Sequence, residues 1–185
     1  MRIVKILRED EVLVIRFLSV LGRGLSAAGH SKAARPGFFV FSGNFIHGYL
    51  EPIYFKKEEV LLRALEDCGF SADGGPVGTM YLNHQKSREI SVILAEAAKQ
   101  WQGGDEGGRA EVVWATSEYI DLMRKHFELL RGRIHPLLEQ SLSVEDEEKA
   151  AEDLNLVAFE DPNSDSPDKY TKIIKMLEEE VNEWK

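Results

Sequence analysis

The chain of 185 residues is 43% hydrophobic and 30% charged, which is typical of a soluble globular protein with one main core. Its single cysteine, Cys68, excludes an intramolecular disulfide and favours a reducing, cytoplasmic location. The net charge of −9 comes entirely from residues 145–185, because residues 1–144 hold 18 basic and 18 acidic side chains. Residues 1–144 are neutral overall and show no basic patch, which argues against nucleic acid as a partner.

A membrane location is not expected from the sequence. The apolar segments are interpreted as too short and too charged to span a bilayer. Acidic residues at 9–11 interrupt any signal-peptide layout at the N-terminus.

Apolar residues recur at intervals of three and four almost throughout the chain, which predicts helices and leaves little strand signal. A first helix is predicted over about 3–25, followed by a loop rich in Gly, Ser and Pro that ends near residue 37. A second helix is predicted over 38–67. Pro52 is expected to kink it, because the proline ring removes one backbone hydrogen bond and crowds the preceding turn.

The second half of the chain continues the helical pattern. A third helix is predicted over 77–101 and a fourth over 109–140, with a bend near Pro136. The spacing of Ser143 and Asp146 is that of a capping box, which predicts the start of a short acidic helix. Residues 160–168 are predicted to be a linker, and a final helix is predicted over 168–184.

Four long helices joined by short or moderate loops predict an all-α protein. The favoured fold is an antiparallel up-down-up-down four-helix bundle over residues 1–141. The acidic residues 142–185 are predicted to add C-terminal helices that pack on the outside of the bundle. A helical array and a mixed fold are the alternatives, and the weak strand signal disfavours the mixed fold.

Each predicted bundle helix carries an ionisable residue on its apolar stripe, and these residues are Asp10, Glu58, His84 and His126. In an antiparallel bundle all four would lie on the order of 10–20 Å from the same end, at 1.5 Å of rise per residue. Two carboxylates and two imidazoles at one depth predict a metal site in the bundle interior.

Each of these residues also has a plainer interpretation when it is taken alone. An inward-facing histidine is usually a core residue whose nitrogens are hydrogen-bonded, and Glu58 could pair with Arg88 or Lys57. Cys68 is interpreted as structural. His135, next to Pro136 near a helix end, is expected only to interact with terminal carbonyls.

Four segments in chain order carry the motifs of a known family: Glu9–Asp10 in the first helix, IYFKKEEVLLRAL at 53–65, GGPVGTMYLNHQKSR at 74–88 and YIDLMRKHFELLRGRIHP at 119–136. An acidic segment, LSVEDEEKAAEDL, follows them. In this order and spacing, and over nearly its whole length, the chain resembles the hemerythrin-like family of HHE cation-binding domains.

The resemblance implies a helical bundle whose family members hold a pair of non-haem irons. His84 and His126 match two of the family's ligands, and Glu58 and Glu59 match its glutamates. Asp10 stands in place of a histidine, and Leu130 in place of a glutamate.

Tyr54 and Phe55 stand where the family has paired histidines. With these replacements the resemblance implies at most one metal ion. The predicted ligands are Asp10, Tyr54, Glu58, His84 and His126, with Glu59 and Glu51 as alternatives.

A set of two histidines and one or two carboxylates suits a single Fe(II), Mn(II) or Zn(II) ion, and Tyr54 could add a phenolate to Fe(III). By resemblance the function is binding or sensing of iron, dioxygen or nitric oxide, without catalytic turnover as the main role. The cofactor is expected to be non-haem iron or another divalent metal, or none.

Two other functions stay open at this point. One is a metal-free hemerythrin-like module that acts in protein interaction or regulation, and the other is a redox enzyme with a single metal. The expected partners are a metal ion and a small gas ligand, and a homo-oligomer or a protein partner is also open.

Overall fold

A computed structural model describes residues 1–159 and 167–184, and within these ranges all regular secondary structure is helical. This confirms the predicted all-α class for the described part of the chain. Residues 160–166 of the predicted linker are not among the described residues.

Six continuous helices account for the described ranges. Helix α1 is Arg2–His30, α3 is Gly75–Gln102, α5 is Val144–Phe159 and α6 is Pro167–Glu183. Helix α2 consists of an α-helical part, a π-helical part and a second α-helical part, which are Pro36–Phe45, Ile46–Phe55 and Lys56–Asp67. Helix α4 has the same construction, with the parts Glu106–Leu129, Leu130–Ile134 and His135–Ser141.

The irregularity expected at Pro52 takes the form of a π-helical segment, inside which Pro52 lies. A π-helical turn is wider than an α-helical turn, so it accommodates a residue that lacks an N–H and crowds the turn before it. Helix α2 therefore runs without a break to the residues that the sequence placed in a candidate site.

The helices pack into a single core of buried apolar side chains. Helices α3 and α4 form the most extensive pair, α1 packs on α4, and the first part of α2 packs on α3. Helix α5 contacts α1 and the last part of α2, and α6 contacts α1 and the first part of α2. The acidic C-terminal helices thus lie against the helices that precede them.

The capping box predicted at the start of α5 is confirmed. The Asp146 backbone N–H donates to the Ser143 hydroxyl at 3.1 Å, and the Ser143 backbone N–H donates to the Asp146 carboxylate at 3.0 Å. This reciprocal pair satisfies backbone groups at the helix start that have no partner within the helix.

Helix α1 is longer than the sequence predicts, and it is more apolar than the interpretation of the segments as too short and too charged to span a bilayer allows. It contains an 18-residue window with a mean hydropathy of 1.5, so by length and composition alone it could cross a membrane. In this structure one face of the helix, including Leu7, Phe17 and Leu21, is buried in the core. A core helix of a protein in water passes the same test of length and composition.

The predicted loop after residue 25 is wrong over its first residues, because α1 continues to His30. Glycines, which usually indicate a loop, lie inside the helix in this stretch. Gly24 lies inside the helix, where a Cβ atom would stand 2.2 Å from the Phe38 ring. The glycine allows α1 and α2 to approach each other closely at this point.

We expect Gly24→Ala to destabilise the protein by about 1–3 kcal/mol, although alanine favours helix, because the buried Phe38 ring must move. Gly132→Ala is the matched control, since nothing lies within 4 Å of a Cβ there. The control substitution should leave the free energy of unfolding unchanged or raise it by up to about 1 kcal/mol. Urea denaturation measures both, and equal effects would contradict the close approach of α1 and α2.

Candidate metal centre

Three of the predicted site residues meet in the protein interior. Glu58 lies in the first turn of the last part of α2, His84 in α3 and His126 in α4, and each is at most 1% exposed. One potential ligand atom from each side chain lies within 4.8 Å of the other two. We call Glu58, His84 and His126 the triad.

The Glu58 carboxylate joins the two imidazoles. His84 Nε2 lies 2.7 Å from Glu58 Oε2, and His126 Nε2 lies 3.1 Å from Glu58 Oε1. The second nitrogen of His84, Nδ1, contacts the Glu59 carboxylate at 3.2 Å. His126 Nδ1 is buried and has no hydrogen-bond partner among the described residues. His84 is therefore held at both nitrogens, and His126 at one.

The charges of the triad depend on each other. Burial acts to raise the pKa of Glu58, but its contacts with His126 and His84 outweigh burial and hold that pKa below the usual range of a carboxyl group. Burial acts to lower the pKa of His84, but contacts with Glu58 and Glu59 outweigh it and raise that pKa. A proton and a metal ion would compete for the ring nitrogens of His84, so metal affinity would fall at low pH.

Tyr54 is fully buried beside the triad. No hydrogen bond of its hydroxyl meets the usual geometric limits among the described residues, although the hydroxyl interacts with the Glu58 carboxylate. Burial, and then the negative charges of Glu58 and Glu11, raise the pKa of this phenol. The neighbouring Phe55 ring stacks on the imidazole of His84, with the ring centres 4.1 Å apart. Tyr54 thus faces two carboxylates, while Phe55 covers one histidine.

The other predicted ligand, Asp10, does not join the triad. Its carboxylate pairs with Lys57 Nζ at 2.7 Å and accepts a hydrogen bond from the Tyr49 hydroxyl at 3.3 Å. The next residue, Glu11, lies on the buried face of α1 and is 2% exposed. Glu11 follows Leu7 by four residues and precedes Val14 by three, so helical spacing could have identified it.

The two alternative carboxylates lie at the edge of the site. Glu59 contacts His84 and also accepts from Arg88 at 2.9 Å. Glu51 is paired with His47 and accepts from the Ser91 hydroxyl, and no contact joins it to the triad among the described residues. Glu59 therefore orients a histidine, and Glu51 belongs to a separate polar group.

Glu11 and His135 form a second buried polar pair that the sequence analysis did not identify. Glu11 Oε2 accepts from Arg131 Nε at 2.9 Å and Nη2 at 2.8 Å. Glu11 Oε1 lies 3.7 Å from His135 Nε2, beyond hydrogen-bond distance. His135 is 1% exposed, and neither of its ring nitrogens makes a hydrogen bond among the described residues, so the expected interaction with helix-terminal carbonyls is not found.

The π-helical segment of α4 explains why His135 is buried. In a regular α-helix a residue nine positions after His126 would point about 180° away from it, at about 100° per residue. A π-helical segment adds about one residue to a turn, so His135 takes an angular position about 80° from His126. No sequence pattern in 130–134 indicates a π-helical segment. The burial of His135 could therefore not be predicted from the sequence.

No protein-family model, curated protein or solved structure matches this chain. The resemblance to hemerythrin-like domains therefore stays a prediction that rests on the motifs.

We expect His135 to make the metal-free protein sensitive to acid. Burial, followed by the positive charge of Arg8, lowers the pKa of His135 to about 4. The neutral imidazole is favoured in the folded state, so its contribution to stability is present above pH 6.5 and is lost as the pH falls toward 4. Between pH 7 and pH 4 the free energy of unfolding of the wild type should fall by about 3 kcal/mol more than that of His135→Leu.

His47→Leu serves as the control, because contact with Glu51 raises the pKa of His47 despite the opposing effect of burial. The stabilising contribution of His47 is present below pH 6.5 and is lost as the pH rises through its raised pKa, which is the opposite direction. Urea denaturation with a chelator at several pH values measures both variants. If the free energy of unfolding changed with pH in the same way for the wild type and for His135→Leu, the claim that His135 is buried as a neutral imidazole would be contradicted.

Proposed function

We propose that this protein is a hemerythrin-like metal-binding protein that holds one divalent transition-metal ion at Glu58, His84 and His126. The observation that carries the proposal is the convergence of three potential ligand atoms, from three different helices, within 4.8 Å of one another in a fully buried position. Buried ionisable groups that converge in this way are uncommon without a functional reason, because burial of charge is costly.

The chemistry of the donor set fits such an ion. One carboxylate and two imidazoles suit Fe(II), Mn(II) or Zn(II). His84 has its second nitrogen against Glu59, and metal-bound histidines usually have a carboxylate or carbonyl at that nitrogen, which fixes the ring and strengthens its basicity. Tyr54 offers a buried phenol next to Glu58 as a further donor.

Non-haem iron is the metal that the resemblance favours. When bound, a ferrous ion would supply a position for a small gas ligand such as dioxygen or nitric oxide, so we propose binding or sensing in the cytoplasm. The proposal includes the up-down-up-down order of α1 to α4. It is supported by the short connections between these helices and by the packing of α3 on α4 and of α1 on α4.

A metal-free helical module is the second candidate, and two observations favour it. Glu58 can satisfy one nitrogen of each imidazole by hydrogen bonds alone. Phe55 stacks on His84, and Leu130 is buried where the family has a ligand glutamate. In this case the triad would be a polar structural element of the core.

Metal titration distinguishes the two candidates. The protein, purified without a tag and stripped with a chelator, should take up one ion when Fe(II) is added anaerobically in equimolar amount. His84→Ala, His126→Ala and Glu58→Gln should each weaken binding by at least about 100-fold, because each removes a direct ligand. Equilibrium dialysis with elemental analysis gives the stoichiometry and the affinity.

Two variants provide matched controls for this titration. Asp10→Asn removes a carboxylate that is paired with Lys57, and His47→Ala removes an imidazole that is paired with Glu51. Both should bind the ion as the wild type does. A wild-type protein that takes up no Fe(II), Mn(II) or Zn(II) would overturn the proposal and leave the metal-free module.

A further inference from the structure

A surface groove and the triad share one neighbouring side chain, Phe127. The groove lies between α1 and α4 and has a volume of about 470 Å³. It is lined by the apolar side chains of Ile15 and Leu18 on α1 and of Ile120 and Phe127 on α4, and polar and charged side chains of the same two helices complete the lining. Ile15 is 40% exposed, so the apolar surface of this α1/α4 groove is open to solvent.

Phe127 borders both the α1/α4 groove and the protein interior. Its ring centre lies 5.5 Å from that of His126, in an edge-to-face arrangement, and 6.1 Å from that of Tyr54. Tyr54 in turn interacts with the Glu58 carboxylate. Phe127 is only 6% exposed and lines the groove, so its ring forms part of the groove floor. Movement of this one ring would therefore connect the groove with the surroundings of two triad residues.

Arg131 covers the Phe127 ring. Its guanidinium carbon lies 5.5 Å from the ring centre, within the range of a cation–π contact, and its nitrogens donate to the Glu11 carboxylate. The Arg131 side chain is 49% exposed and also lines the groove. Exposed side chains change rotamer rapidly, so Arg131 can uncover the ring without a movement of the helices. The floor of the groove is thus closed by two side chains and not by backbone.

The lining of the groove favours a particular ligand chemistry. Dioxygen and nitric oxide are small, neutral and apolar, and apolar cavities in proteins take up such species, as they take up xenon. Water and ions would lose hydrogen bonds in an apolar passage. On another side of the triad, Glu59 contacts His84 and pairs with Arg88, and these charged groups favour water and ions. The α1/α4 groove is therefore the side that suits a diatomic gas.

We propose that a small apolar diatomic molecule enters through the α1/α4 groove and reaches the triad past Phe127, which acts as a gate. This inference rests on the proposed function, since that function supplies the metal ion and the gas. Phe127 binds neither of them. It acts through the width of the passage, and the groove determines which molecules arrive there.

Dissolved dioxygen tests the route in the metal-free protein, because its unpaired electrons speed the relaxation of nearby protons in nuclear magnetic resonance spectra. Under oxygen pressure, the oxygen-induced relaxation rate of the Tyr54 ring protons should exceed that of the Tyr119 ring protons by at least about 3-fold. Tyr119 is the matched control, since it is an equally buried tyrosine that does not line the groove. Ile120→Trp should fill the groove and lower the Tyr54 rate to that of Tyr119. Equal rates for the two tyrosines in the wild type would overturn the route.

Stopped-flow binding of nitric oxide to the Fe(II)-loaded protein tests the gate. Ile120→Trp should slow both association and dissociation by at least about 5-fold, because a narrowed passage raises the barrier in both directions and leaves the equilibrium affinity unchanged. Phe127→Leu, with a smaller side chain at the gate, should speed both steps. Val92→Trp is the control and should match the wild type, since it adds the same ring to an exposed position of α3 outside the groove.

The outcomes separate this inference from the proposed function. If Fe(II) and nitric oxide bind but both rates are the same in the wild type, Ile120→Trp and Phe127→Leu, the gate is overturned and the proposed function stands. A changed affinity without matching changes in both rates also overturns the gate, because the substitution then acts on the metal ligands. If the protein takes up no metal ion, the proposed function fails, and the comparison of Tyr54 with Tyr119 still decides whether a gas passes Phe127.

Circular dichroism establishes that Ile120→Trp and Phe127→Leu are folded. The comparison of the two tyrosines needs only the wild type, so it decides the route if either variant does not fold.

Discussion

The Glu58 carboxylate between two imidazoles is the interaction on which the interior of this protein depends. A carboxylate that is 1% exposed cannot be hydrated, so it must be compensated by the groups around it. His84 and His126 supply that compensation from two other helices. Because these three groups come from three different helices, the electrostatics of the site and the packing of the helices are linked.

The two π-helical segments add a second polar layer around this carboxylate. The segment in α2 ends at Phe55, so it delivers Tyr54 and Phe55 to the interior directly before Glu58. The segment in α4 ends at Ile134, so it turns His135 inward. Irregular turns of this type are frequent at functional sites, because they point side chains in directions that a regular helix does not allow. This layer distinguishes the interior from a purely apolar core.

The sequence predicted a large part of this arrangement, because helical periodicity is strong in a chain of long amphipathic helices. The helix class, the ends of α2 and α3, the capping box at Ser143 and the meeting of Glu58 with both histidines followed from spacing. The sequence predicted Asp10 and not its neighbour Glu11, because adjacent residues differ by about 100° in direction and a broad apolar stripe does not separate them. His135 could not be identified, because its direction depends on a π-helical turn that tertiary packing selects and no local pattern encodes.

Anomalous diffraction from crystals grown with Fe(II) under anaerobic conditions tests the central claim most directly. The account predicts an anomalous peak at the iron edge, bonded to a Glu58 oxygen and to nitrogens of His84 and His126 at about 2.0–2.3 Å. It also predicts that the hydrogen bonds between Glu58 and the two imidazoles are replaced by metal bonds. The absence of a peak at full iron loading, with both imidazoles still hydrogen-bonded to Glu58, would contradict the account.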